Sequence, residues 1–150
     1  MNMRSVFFFL SISFMVTLLI FGCHTQLYTP ESYTGKQLMF GEGGGFSGQI
    51  IEYTLLENGQ LFITNSVAKE TKPVKKISKN HVRALFRQAQ QLGMNTLNFN
   101  YPGNIYYFMR LKEGNQLQAT TWGSNDHQVP TAIQNFYQVL SEVTKETKNK

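Results

Sequence analysis

The chain contains a single cysteine, Cys23, among 150 residues, which excludes a disulfide framework within it. Histidine is nearly as scarce. His24, His81 and His127 lie far apart and match no H-E-x-x-H-type ligand spacing, so no metal centre is expected. Acidic residues are outnumbered, 9 Asp+Glu against 14 Lys+Arg, giving a formal net charge of +5. Long apolar runs are missing from all but the first 22 residues. What remains still supports a core: 41% hydrophobic and 13% aromatic content excludes a wholly disordered protein. A chain of 150 residues has room for one domain rather than two.

The exceptional apolar run has the layout of an export signal. Met1-Asn2-Met3-Arg4 is a short basic start, and Val6–Phe21 is uncharged, interrupted only by Ser11, Ser13 and Thr17. A helix of that length spans about 24 Å, short of a bilayer core of about 30 Å. Such a segment suits a cleaved leader better than a permanent span. Ile20-Phe21-Gly22-Cys23 follows it directly. This tetrapeptide resembles the lipobox of bacterial lipoprotein precursors, with Ile20, Gly22 and Cys23 at the matching places and Phe21 where that family usually has Ala, Ser or Thr. The resemblance implies a signal peptide over 1–22, cleavage before Cys23, and acylation of Cys23 by a diacylglycerol thioether and a further fatty-acyl chain such as palmitate. Two or three such chains anchor a protein to a membrane where one does so only marginally. The expected location is the bacterial cell envelope. His24 is not an acidic retention residue, which favours the outer over the inner membrane in a Gram-negative cell.

Beyond the anchor, residues 23–36 are polar, hold Pro30 and Gly35, and are expected to form a linker. The domain is expected over 37–143, with a charged tail over 144–150. Gln37–Phe40 reads as a short strand entering a glycine cluster. Ile51, Tyr53 and Leu55 then alternate along Gln49–Leu56, and Asn58-Gly59 turns the chain into a return strand over Gln60–Asn65. Ala68–Ile77 is a lysine-rich connector with room for another edge strand. Ser78 is placed to cap a helix over Lys79–Leu92, whose Val82, Leu85, Phe86, Ala89 and Leu92 form one apolar stripe before Gly93. Asn95–Gly103 reads as loop, and Asn104–Lys112 with Gln116–Trp122 as a second hairpin. Pro130 is expected at the first position of a second helix, striped by Ile133, Phe136, Tyr137, Leu140 and Val143. The resulting expectation is an α+β domain. It has a single antiparallel sheet of about five strands, in the order β-ββ-α-ββ-α, and two helices on one face. Tyr106, Phe108, Arg110 and Trp122 are expected together on the other face, as an open or binding surface.

The candidate site residues fall into three groups. Gly43, Gly44, Gly45, Phe46, Ser47 and Gly48 match a G-x-G-x-x-G spacing, but a dinucleotide site needs that motif between a strand and a helix, and here it opens into a strand. It is a sharp turn or a loop for a protein partner. Lys72, Lys75, Lys76, Lys79, Arg83 and Arg87, with Lys69 nearby, form a basic stretch opposed only by Glu70. Such a face suits solvent, anionic headgroups or an acidic partner, and nucleic acid is excluded for an exported chain. Ser124, Asp126 and His127 crowd into one loop, unlike hydrolase triads, whose members come from separate elements. No catalytic residue, cofactor or metal is expected.

Gly44-Gly45-Phe46 with Gly48, the aromatic strand Tyr106-Tyr107-Phe108 and the closing stripe Ile133–Leu140 also resemble emfourin, a family of small bacterial inhibitors of thermolysin-type metalloproteases. The lipid anchor and the lysine-rich connector depart from that pattern. The expected function is a lipid-anchored envelope module that binds or supports rather than catalyses. The alternative is an exported, emfourin-like protease inhibitor acting through an exposed loop. The expected partners are the membrane, through acylated Cys23, and an envelope protein or protease.

Overall fold

A computed structural model describes residues 28–94 and 96–145; the expected signal peptide, the lipobox and Cys23 lie outside the described residues. The chain runs β1 (Gln37–Gly44), β2 (Gln49–Leu56), β3 (Gln60–Asn65), β4 (Glu70–Lys76), α1 (Lys79–Gln91), β5 (Phe99–Tyr101), β6 (Ile105–Glu113), β7 (Gln116–Trp122) and α2 (Thr131–Lys145). The strands form one sheet in the order β4-β3-β2-β1-β6-β7-β5. Neighbours are antiparallel except β5 and β7, which are parallel.

The class is α+β, but the expected five-stranded antiparallel sheet is wrong. The sheet has seven strands and is mixed. The helices are not interleaved with the strands in the expected β-ββ-α-ββ-α order; both lie in the C-terminal half, the first only after four consecutive strands. The added strands are the two edges. In β4, Glu70, Thr71, Lys72 and Pro73 are all exposed, so no alternation marks it as a strand. Its pairing with β3 slips between Leu61 and Phe62, beside Pro73, which has no N–H to give to a ladder. Charge, proline and a register slip all protect such an edge from further pairing.

The other edge, β5, is three residues inside the stretch expected to be loop. Its pairs are Phe99 with Thr120 and Tyr101 with Trp122. The link from β5 to β6 crosses the end of β7, where Gly103 and Gly123 lie backbone to backbone. A Cβ on Gly103 would sit 2.2 Å from the Gly123 carbonyl oxygen.

One face of the sheet carries the core. Leu38, Phe40, Leu55, Leu61, Met109, Leu111 and Trp122 join Val82, Leu85, Phe86 and Ala89 of α1 and Ile133, Phe136, Leu140 and Val143 of α2 in a single buried cluster. Trp122 therefore does not share a face with Tyr106, Phe108 and Arg110. It pairs with Tyr107 across the ladder and meets Tyr137 edge-on at 5.2 Å. Both sides of β6 are aromatic or aliphatic, so composition alone does not choose between them. Ser78 occupies the N-cap position of α1 but its side chain makes no capping bond. Pro130 accepts the first hydrogen bonds of α2 from Ile133 and Gln134, one place earlier than expected.

On the opposite face the Arg110 guanidinium donates to Glu52 Oε2 at 2.9 Å and lies 4.4 Å from the centre of the Phe108 ring. Gly41 pairs with both Glu52 and Phe108, so no side chain stands between them on β1. Burial raises the Glu52 carboxyl above its usual range, against the opposing pull of Arg110 and a hydrogen bond with Thr54.

Candidate functional site

The ladder register sends candidate residues to opposite ends of the sheet. Gln37 faces Leu56 and Lys112, whereas Gly44 faces Gln49 and Ile105. One end therefore gathers the start of β1, the β2–β3 turn, the junction of β4 with α1, and the end of β6. The other gathers the β1–β2 turn, the β3–β4 turn and the start of β6.

At the second end, Gly43, Gly44, Gly45, Phe46, Ser47 and Gly48 close the β1–β2 hairpin. Gly44, Gly45 and Gly48 have φ of 98°, 69° and 61°, a left-handed region that side chains disfavour. The Gly48 N–H donates to the Gly45 carbonyl at 3.2 Å, and the Gly45 N–H reaches the Asn104 carbonyl at 2.8 Å. The turn is thus tied to the neighbouring β5–β6 link. Phe46 stands at its tip, fully exposed. Val67 in the β3–β4 turn, Ile105 at the start of β6 and Tyr101 at the end of β5 are further exposed apolar side chains at this end.

At the first end a groove of about 530 Å³ opens between α1, the β2–β3 turn and the segment before β1. Lys79, Arg83 and Arg87 fall at i, i+4 and i+8, on one face of α1. Lys76 comes from the end of β4, Lys36 from just before β1, and Val82 and Phe86 supply an apolar floor. Tyr28, Glu57, Asn58 and Gln90 complete the lining. Lys36 is committed elsewhere: its Nζ lies 3.0 Å from Glu113 Oε1, which also accepts from Gln90 Nε2 at 2.8 Å. The hydrogen bond from Lys36, reinforced by that from Gln90, holds the Glu113 carboxyl below its usual range. Among the described residues Lys76, Lys79, Arg83 and Arg87 form no salt bridge. Four cations against the single carboxylate of Glu57 leave the lining net positive, a chemistry that suits an anion carrying an apolar part.

Of the six basic candidates, Lys76, Lys79, Arg83 and Arg87 meet in this groove and Lys72 and Lys75 do not. Lys72 pairs with Glu70 at 2.8 Å on the exposed edge, and Lys75 borders a shallow depression with His81 and Val143. Sequence reasoning missed Lys36, Tyr28, Glu57 and Asn58. The segment holding Tyr28 is also folded against the domain. The Tyr28 N–H donates to Gln60 Oε1 at 3.4 Å, and Gln37 Nε2 donates to the carbonyls of Pro30 at 2.8 Å and Tyr33 at 3.0 Å.

In the remaining loop, Ser124 Oγ accepts from the Asp126 backbone N–H at 3.3 Å, and the His127 ring stacks on Tyr101 with centroids 3.8 Å apart. The serine thus serves its own turn, and the imidazole is packed on a ring from the sheet edge. No group of three or more metal-ligating side chains occurs among the described residues, and none of their helices is long and apolar enough to cross a membrane. No family model matches the chain, and no curated protein matches its sequence.

Proposed function

We propose that the chain is a lipid-anchored lipoprotein of the bacterial cell envelope, held by acylated Cys23, whose domain is a non-catalytic binding module for a protein partner. The observation that carries the binding role is Phe46, a large apolar side chain fully in water on a hydrogen-bonded glycine turn. Exposing a phenylalanine on a turn already fixed by backbone bonds costs little conformational entropy when a partner covers it. Val67 and Ile105 at the same end enlarge the apolar contact. The anchor rests on the export run and the lipobox-like tetrapeptide ending in Cys23.

The test places a photo-crosslinking residue at position 46 in the full-length protein in intact cells. A control chain carries it at position 139, where Val139 is exposed on α2. A discrete adduct from position 46 and none from 139 is expected. No adduct from 46, or the same adducts from both positions, overturns the reading.

The same exposed phenylalanine favours a second reading, that the partner is a metalloprotease and the turn its inhibitor, as the resemblance to emfourin implies. An apolar side chain on a preformed turn suits insertion into an apolar protease subsite. Thermolysin activity titrated with the purified protein decides this. Unchanged activity at micromolar protein removes the inhibitor role and leaves the binding module standing.

A further inference from the structure

We infer that the basic groove holds the phosphate of an anionic phospholipid headgroup in the membrane that carries the anchor. This rests on the reading of Cys23 as the acylated residue. Tyr28 lines the groove and is five residues after Cys23. Five residues of fully extended chain reach at most about 18 Å, so a lipid-held Cys23 keeps the groove mouth close to the headgroup layer.

The chemistry of the lining fits that neighbour. Arg83 and Arg87 present planar guanidinium forks, which match phosphate oxygens two at a time, and Lys76 and Lys79 add point charges beside them. All four are exposed at their own positions and form no salt bridge among the described residues, so no internal ion pair must break on binding. Val82 and Phe86, buried in the core, close the bottom of the groove, and the alkyl stems of the four basic side chains supply apolar surface along its walls. A tether this short gives the headgroups a high effective concentration at the groove, an advantage that a soluble phosphate or an acidic peptide lacks. Attraction of basic side chains to an anionic leaflet acts only within about a Debye length, and the tether supplies that proximity.

The binding also orients the domain. β1 leaves the groove end and carries the chain over eight residues to Gly44, roughly 25 Å away. With the groove on the membrane, the Phe46 turn points outward toward a partner.

The test uses the mature protein purified from cells and reconstituted in phosphatidylcholine vesicles doped with phosphatidylglycerol bearing a headgroup diazirine. Parallel vesicles carry the diazirine on phosphatidylcholine instead. Adducts mapped by mass spectrometry are expected on peptides spanning 79–87 with the anionic probe. An Arg83→Glu/Arg87→Glu variant, altered only at exposed positions, should lose them roughly fivefold or more. Equal labelling by the zwitterionic probe, adducts confined to other surfaces, or no loss in the variant each overturns the inference. Abolition of the adducts by millimolar inorganic phosphate also overturns it, by assigning the groove to a soluble anion. The same spectra report the Cys23 peptide. Acylated Cys23 without groove adducts sinks the headgroup site alone, whereas unmodified Cys23 sinks the anchored reading beneath it.

Discussion

At one end of the sheet four cations surround a groove floored by a buried phenylalanine, Phe86; at the other a glycine turn lifts a phenylalanine, Phe46, wholly into water. The same side chain is a structural element in one place and a contact surface in the other, and the surroundings decide which. Phe86 sits on the apolar stripe of α1, so the helix must bury it to fold against the sheet. Phe46 is held by a turn whose stability comes from backbone bonds to Gly45, Gly48 and Asn104 and owes nothing to its ring. Stability and exposure are thus uncoupled at the tip and coupled at the groove.

The largest expected effect tests that division directly. Phe86→Ala should destabilise the fold by about 3–5 kcal/mol, the range for deleting a buried aromatic ring. Phe46→Ala should change stability by no more than about 0.5 kcal/mol, as surface substitutions do. Urea denaturation of both variants measures the difference. A costly Phe46→Ala would mean that the ring is packed in solution, and the outward-facing contact would lose its basis.

A smaller effect separates two adjacent glycines in the same turn. Gly44 has φ of 98°, and a Cβ there would meet the Asn104 carbonyl oxygen at 2.1 Å; Gly45 has φ of 69° with nothing within 4 Å. Gly44→Ala should cost about 2–3 kcal/mol through clash added to backbone strain. Gly45→Ala should cost only the left-handed penalty of about 1–2 kcal/mol. Thermal melts that rank the two the other way would show that the tip is not braced against the β5–β6 link.

Much of this was legible in the sequence where the signal was local. Both helices lie where five apolar residues repeat at helical spacing, and the β2–β3 hairpin turns at Asn58-Gly59. The sheet edges are less legible: the lysine-rich connector leaves room for β4 without marking it, and β5 falls in a stretch that reads as loop. β4 has no buried face to impose alternation, and β5, at three residues, is too short to show a period. Composition does not place Trp122 on its true side beside Tyr107, because Tyr106 and Phe108 are as apolar as Tyr107 and Met109. The site divides in the same way. Lys79, Arg83 and Arg87 announce one helical face, and the glycine cluster announces a turn. Lys36, Tyr28 and Glu57 reach the groove only through a register that sets Gln37 against Leu56, and Val67 and Ile105 reach the tip through the same ladder. Nothing local in the sequence encodes that register.

The smallest effect uses two carboxylates with opposite linkage. Glu113, at the groove end, ionises more readily than its ordinary value of 4.5, chiefly because Lys36 donates to it. Its contribution to stability is present above the ordinary value and lost as pH falls through its lowered pKa. Glu52, in the middle of the sheet, is raised by burial despite Arg110. Its contribution is present below the ordinary value and lost as pH rises through its raised pKa. Relative to wild type, Glu113→Gln should therefore lose stability as pH climbs through the acid range. Glu52→Gln should gain it, apart from a pH-independent offset for the hydrogen bond to Arg110 that the amide changes. The slopes of unfolding free energy against pH carry the test, because any offset drops out of a slope. A falling slope for Glu52→Gln would mean that Arg110 outweighs burial at Glu52. A flat or rising slope for Glu113→Gln would mean that Glu113 is not held by Lys36 in solution. Lys36 would then be released to the groove, and its positive charge would rise from four cations to five.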